Sequence, residues 1–197
     1  MPASDRKITP ADLIDDADYA RERKQRRAAL LPIKRLRRIA LGPICTVYFE
    51  NYQTMLFQVQ EMLITERGGP AQVAVELAAY NPMIPQGAEL TATVMFEIDE
   101  PVRRDQTLRQ LGGVEDDFFL RVGDEEIAAV PEGDIERTRD DGKTSSVHFL
   151  RFALTPAQMG RFNDPATTIL IGCRHEAYGH LAMLNPATRA ELAKDFA

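Results

Sequence analysis

The stretch richest in reactive groups is Cys173-Arg174-His175-Glu176-Ala177-Tyr178-Gly179-His180. It continues a strand predicted from Thr167, and a period of two then puts Cys173 and His175 on the face of Ile169 and Ile171. Arg174, Glu176 and Tyr178 fall on the other face. A thiol beside an imidazole admits three readings. The pair could ligate zinc or another transition metal if His148 or carboxylates joined it. The imidazole could activate the thiol as a nucleophile. Or a buried structural cysteine sits beside a hydrogen-bonded histidine. His180 is expected in the turn that follows. His148 shares a strand face with Leu150, Phe152 and Leu154, the setting of a satisfied core histidine; an exposed imidazole there would titrate near neutrality and serve as acid, base or ligand.

The second set of groups belongs to Phe49–Leu63, read as part of a helix over 48–66. At 100° per residue Tyr52, Met55, Leu56, Val59, Met62 and Leu63 form an apolar stripe. The opposite side carries Glu50, Thr54 and Glu61 and no cation, which suits a helix that touches protein on both sides or lines a pocket. Glu50 and Glu61 are eleven residues apart, roughly 16 Å along a helix, so each needs its own partner. Arg37, Arg38 and Glu76 are the candidates. Structural pairing is one reading. The other is an acid/base or metal pocket between this helix and a sheet, in which Glu61, Glu76, His148 and His175 converge. The sequence contains no phosphate loop, dinucleotide fingerprint, zinc-protease helix motif or nucleophile elbow.

The elements that must position these groups follow from capping and period. Thr9-Pro10-Ala11-Asp12 starts a helix that runs to Leu31, where Pro32 kinks or breaks it. A second piece follows over 33–41 and stops at Gly42-Pro43. A helix over 71–80 comes after the central one. The period then changes to two at Leu90–Ile98. Next come a helix over 102–111, a hairpin over 118–130 turning at Gly123-Asp124, a polar loop over 131–143 with a turn at Asp140-Asp141-Gly142, and a strand over 145–154. A capped helix follows at Thr155-Pro156, then the strand over 167–176, then a final helix over 187–196. Helices first and strands later predict an α+β fold. N-terminal helices pack on a mostly antiparallel sheet of about five strands, with a short C-terminal helix. Residues 1–42 read as a basic helical arm and 43–197 as a single α+β domain.

Composition bounds the partners. The chain has 197 residues, 27% charged, with a net charge of −6, which argues against a general nucleic-acid binder. The average hides an asymmetry. Between Arg21 and Arg38 there are nine Lys or Arg against one acid; between Glu97 and Asp141 there are fifteen acids against six Arg. Either the two runs are solvated or face each other within a monomer or homodimer, or the basic run docks an anionic partner through Arg35, Arg37 and Arg38. No apolar run is long enough to span a membrane. Met1–Lys7 has no signal-like apolar region, and the two cysteines have no metal or redox spacing, so reduced thiols in a cytoplasm are expected.

Read in order, Arg37-Arg38, Phe49-Glu50-Asn51, Thr54, Gln58, Glu61, Glu76-Leu77, and Tyr80-Asn81 up to Ile84-Pro85 resemble a bacterial family of about this length known only as a domain of unknown function. The resemblance runs nearly end to end, including the basic N-terminal helix and the His-bearing last strand. It brings no catalytic residues with it. It implies a context: genes of the family commonly sit beside genes for a rubrerythrin-like protein and a heterodisulfide-reductase-related iron–sulfur protein. That context suggests a redox or oxidative-stress module. The chain lacks the cysteine sets of an iron–sulfur cluster and the paired Glu-x-x-His motifs of a di-iron bundle, so it would serve such a module without carrying those cofactors. The primary reading is an accessory or binding protein; the alternative is a small metal-dependent or acid/base enzyme.

Overall fold

The computed structural model describes residues 6–132, 138 and 142–196. Helix α1 spans Asp16–Leu36, and strands β1 and β2 span Arg38–Leu41 and Cys45–Phe49. Helices α2 (Tyr52–Glu66) and α3 (Pro70–Tyr80) precede β3 (Glu89–Phe96) and α4 (Pro101–Gln110). Then come β4 (Phe118–Val122), β5 (Glu125–Ala128), β6 (Val130–Pro131) and β7 (Val147–Ala153). Helix α5 (Pro156–Asn163), β8 (Ile169–His175), β9 (Tyr178–Met183) and α6 (Pro186–Leu192) complete the order. The fold is α+β.

The strands form two antiparallel sheets, where the sequence reading expects one. The first has the order β1-β2-β3-β7-β6 and the second β5-β4-β8-β9. Alternation explains the layering. Val47 and Phe49 of β2, Leu90, Val94 and Phe96 of β3, and Phe152 of β7 meet Phe118, Leu120, Ile169 and Ile171 of the second sheet in the main core. The opposite face of the first sheet packs on α2 and α3, where Met55, Val59, Leu63, Met83 and Ile84 form a second core with Phe149 of β7 beside it. The result is three layers, helices on sheet on sheet.

Four boundaries differ from expectation. Pro10–Asp12 is a separate 3-10 turn, and the first helix starts at Asp16, where the Asp15 side chain accepts from the Ala17 N–H. Pro32 lies inside α1, which continues to Leu36; Ala28, whose carbonyl loses its donor, is exposed, so that carbonyl meets water. Residues 38–41, expected as helix within the arm, are strand β1 of the first sheet, with Ile39 and Leu41 buried and Arg38 and Ala40 exposed. Residues 38–41 follow a basic run and are only four in number, which conceals their period of two, and β1 pairs with β2 across a tight turn. Gly42 sits there at φ +74°, and a Cβ added to it would come within 2.3 Å of the His180 ring. The central helix starts at Tyr52, not Tyr48, because Asn51 caps it by accepting from the Thr54 N–H and Phe49 belongs to β2.

His180, expected in a turn, stands in β9, which pairs with β8 across Glu176-Ala177. That pair lacks the Asn-Gly or Asp-Gly signal of a tight hairpin. Of the turn predicted at Asp140-Asp141-Gly142, the two aspartates lie outside the described residues. Among the described residues no helix is long and apolar enough to cross a membrane.

Candidate functional site

The reactive groups singled out in the sequence do not converge. Glu61 on α2 accepts from Arg23 Nε at 2.8 Å and Nη2 at 2.7 Å, and from the Tyr19 hydroxyl at 2.7 Å. The Arg23 fork holds its carboxyl below the usual range, while burial and this hydrogen bond push the Tyr19 phenol up. Glu76 on α3 is buried and accepts from Gln72 Nε2 at 3.0 Å.

His148 and His175 lie on the far side of the first sheet from those two glutamates. His148 of β7 is fully buried, with Nε2 2.9 Å from the Ser145 carbonyl oxygen and Nδ1 3.7 Å from Glu115 Oε2. His175 ends β8; its Nδ1 accepts from the Ala177 N–H at 3.2 Å, which leaves Nε2 to donate to the Gly112 carbonyl at 3.3 Å. Cys173 is buried, and burial pushes its thiol up to about 11, the opposite of what a nucleophile or metal ligand needs. Among the described residues no three His, Cys, Asp or Glu are grouped to hold a metal ion. The Glu61–Glu76–His148–His175 pocket and the Cys173–His175–His148 ligand set are therefore not assembled.

The three arginines named for partner binding separate sharply. Arg35 is exposed. Arg38 is half-exposed and held by Tyr48 and Glu97. Arg37 is 1% exposed, so no partner can reach it. Its Nε donates to the Phe49 carbonyl at 3.0 Å and its Nη2 to the Glu50 carbonyl at 2.8 Å. It also pairs with Asp195, and with Glu191 at 3.5 Å. One buried guanidinium thus ties the end of α1 to the β2–α2 junction and to the C-terminal segment. Burial pushes the Asp195 carboxyl up to about 6 even with Arg37 against it. The Glu50 carboxylate accepts from the Thr54 and Thr93 hydroxyls at 2.6 and 2.8 Å, and burial raises it. Arg37 reaches the backbone of Glu50 and not its carboxylate, so the expected ion pair at this end is absent.

What the fold does build is a cleft between α1 and α2. Tyr19 and Leu30 of α1 are buried, but every residue over 20–29 is exposed. Tyr19 lies against Phe57 of α2, with ring centroids 6.5 Å apart. Between these contacts α1 offers Ala29 where a larger residue would fill the gap. A cleft of about 260 Å³ remains, walled by Ile14, Leu30, Ile33, Leu56 and Phe57, with Arg26 and Gln53 on its lining. Gln60 closes one end, exchanging both hydrogen bonds with the Ile14 backbone. The helix above the cleft is basic. Arg21 and Arg26 pair with acids of the same helix and Arg23 with Glu61; Lys24, Arg27 and Arg35 stand outside these pairs. The acidic run has its own cations: Asp105 pairs with Arg109 and Lys143, Glu126 with Arg121 and Arg174, and Asp124 and Glu125 with Arg161. Among the described residues the two runs meet at Arg38–Glu97. Phe57 belongs to the mixed second face of the central helix that the sequence marks as a protein contact or pocket lining; Tyr19 and Arg23 escape the sequence reading, although one signal was there. Tyr19 is the only aromatic of α1, and Arg23 lies one turn on along the same face.

Comparison with known proteins matches residues 7–196 to a family described as Protein of unknown function (DUF3501). The chain belongs to this family. A solved structure similar to it is the crystal structure of a novel protein of unknown function from Burkholderia pseudomallei K96243. That structure is 34% identical, with a TM-score of 0.89, over 97% of this chain and 100% of the other. No curated protein matches the chain. The likeness to the solved structure is one of fold, and family membership brings no activity with it.

Proposed function

We propose that this protein is a binding component that docks an acidic partner along α1. One observation carries the reading. A helix with five cations over 21–27 is exposed on all sides across 20–29 and overhangs an apolar cleft. Such a helix gains little from its own domain, whereas an acidic surface carrying an apolar side chain would satisfy both the charge and the cleft. The family resemblance supplies the candidate partners, an iron–sulfur oxidoreductase and a rubrerythrin-like protein of a redox or oxidative-stress module. A cytoplasmic location goes with that setting. The enzyme reading has no observation in its favour, because the first sheet separates Glu61 and Glu76 from His148 and His175.

The test is binding to those two candidates by calorimetry at low and high salt. Wild type should bind at low salt, weaken as salt rises, and lose about tenfold or more on Lys24→Glu/Arg27→Glu/Arg35→Glu. No complex at low salt, or one indifferent to the triple reversal, would sink the proposal.

A further inference from the structure

The four outer strands of the two sheets are not protected alike. β6 is two residues long and contains Pro131, β5 carries Glu125 and Glu126, and β1 has four residues including Arg38. β9, Tyr178-Gly179-His180-Leu181-Ala182-Met183, is six residues long and contains no proline and no charged residue. Charge, proline and shortness are the devices that keep sheet edges from pairing, and β9 has none of them.

Its bonds to β8 determine which backbone groups are left over. Leu184 N donates to the Ile169 carbonyl at 2.9 Å, and the ladder continues through Ile171↔Ala182, Cys173↔His180 and His175↔Tyr178. In an antiparallel pair alternate residues turn both backbone groups to the neighbour. Tyr178, His180 and Ala182 therefore face β8, and the N–H and C=O of Gly179, Leu181 and Met183 point away from the sheet. Among the described residues no other element makes a backbone bond to these three. β1 approaches at the Tyr178 end, where the Tyr178 hydroxyl donates to the Leu41 carbonyl at 2.6 Å. Leu181 and Met183 are nonetheless 57% and 69% exposed.

We infer that β9 is the pairing edge of a homodimer, with the β9 strand of a second copy running antiparallel to it about a two-fold axis at Leu181. In that register Leu181 faces Leu181 of the second copy, and Met183 faces its Gly179. All three outward residues then exchange backbone hydrogen bonds with outward residues. Moving the axis to His180 or Ala182 leaves one of them without such a partner. The side chains agree with the register. The long Met183 meets a position with no side chain, where an added Cβ would find nothing within 4 Å. An uncharged strand is also the part of a chain with net charge −6 at which two copies approach without like-charge repulsion. The pairing joins two four-stranded sheets into one. It is independent of the α1 docking reading.

The experiment is the molar mass of the full chain by sedimentation equilibrium. Wild type should approach twice 22.1 kDa. Leu181→Lys and Met183→Lys should each raise the dimer dissociation constant by more than about tenfold while the far-UV circular dichroism of the folded chain stays unchanged, both side chains being exposed in the single chain. Leu181→Cys treated with oxidised glutathione should give a disulfide-linked dimer, and Met183→Cys should not. A monomer at every concentration, a dimer indifferent to both lysines, or cross-linking through Met183→Cys in place of Leu181→Cys would each overturn the inference.

Discussion

At the scale of single residues, burial decides what a titratable group is for. Arg37 stands between Arg35, which is exposed, and Arg38, which is half-exposed, and nothing in the string Lys34-Arg35-Leu36-Arg37-Arg38 marks it as different. Inside the fold it is the one that satisfies two carbonyls and an aspartate. Arg37→Ala should therefore cost about 3–5 kcal/mol in urea denaturation, because it leaves Asp195 buried without its counter-charge; Arg35→Ala should change stability by less than about 0.5 kcal/mol. Asp195 also sets a pH dependence. Its carboxyl titrates near 6 in the folded chain against an ordinary 3.8. The native state thus keeps this proton to higher pH than the unfolded state does. The contribution is favourable below about 4 and is lost as pH rises toward 6. Asp195→Asn, which still accepts from Arg37, should gain stability relative to wild type across that window. Thermal melts at pH 4, 5 and 6 would read it, and a constant difference would refute it. Glu61 has the opposite sign. Arg23 depresses it, so its contribution is present above its ordinary value of 4.5 and fades as pH falls through the lower folded value.

At the scale of elements, α1 is the unusual one, since it is held at its ends and stands clear of the body between them. Glu61 is its lock through Tyr19 and Arg23. Glu61→Gln should lower global stability by only about 0.5–1 kcal/mol, because Arg23 is half exposed. Amide exchange over 16–30 should nevertheless speed up, as measured by mass spectrometry. The cleft makes a complementary prediction. Ala29→Leu should fill it and raise the melting temperature or leave it unchanged, while weakening any partner whose apolar side chain sits there. Much of this level was legible in the sequence. Capping at Thr155 and Asn185 and the period of two at Leu90–Phe96 come from local chemistry, which the fold leaves in place. What misled was competition. The end of a segment that reads as amphipathic helix, Arg38–Leu41, became strand β1 once β2 was available to pair with it. The hairpin before β9 had no turn residue to announce it.

At the scale of the whole molecule, two sheets packed face to face place the histidines and the cysteines in or beyond the first sheet, away from the carboxylates of the helical layer. Asp105, Asp124, Glu125 and Glu126 of the acidic segment pair with cations of their own neighbourhood, so the net charge of −6 says little about α1. Any partner that α1 docks should show on-rates that fall steeply with ionic strength, while β9 pairing should be nearly insensitive to it. Stopped-flow and sedimentation at two salt concentrations separate the surfaces.

The amino-acid order by itself determined the α+β class, most helices and strands, the exposed basic helix and the lack of any common catalytic motif. These follow from periodicity, capping and composition within a few residues of chain. Only the tertiary structure decided that Arg37 is core, that Cys173, His148 and Glu61 share no site, that the strands divide into two sheets, and that β9 is left with an open edge. Each of these depends on which residues distant in sequence meet, and pairing and burial between distant segments leave no mark on local spacing.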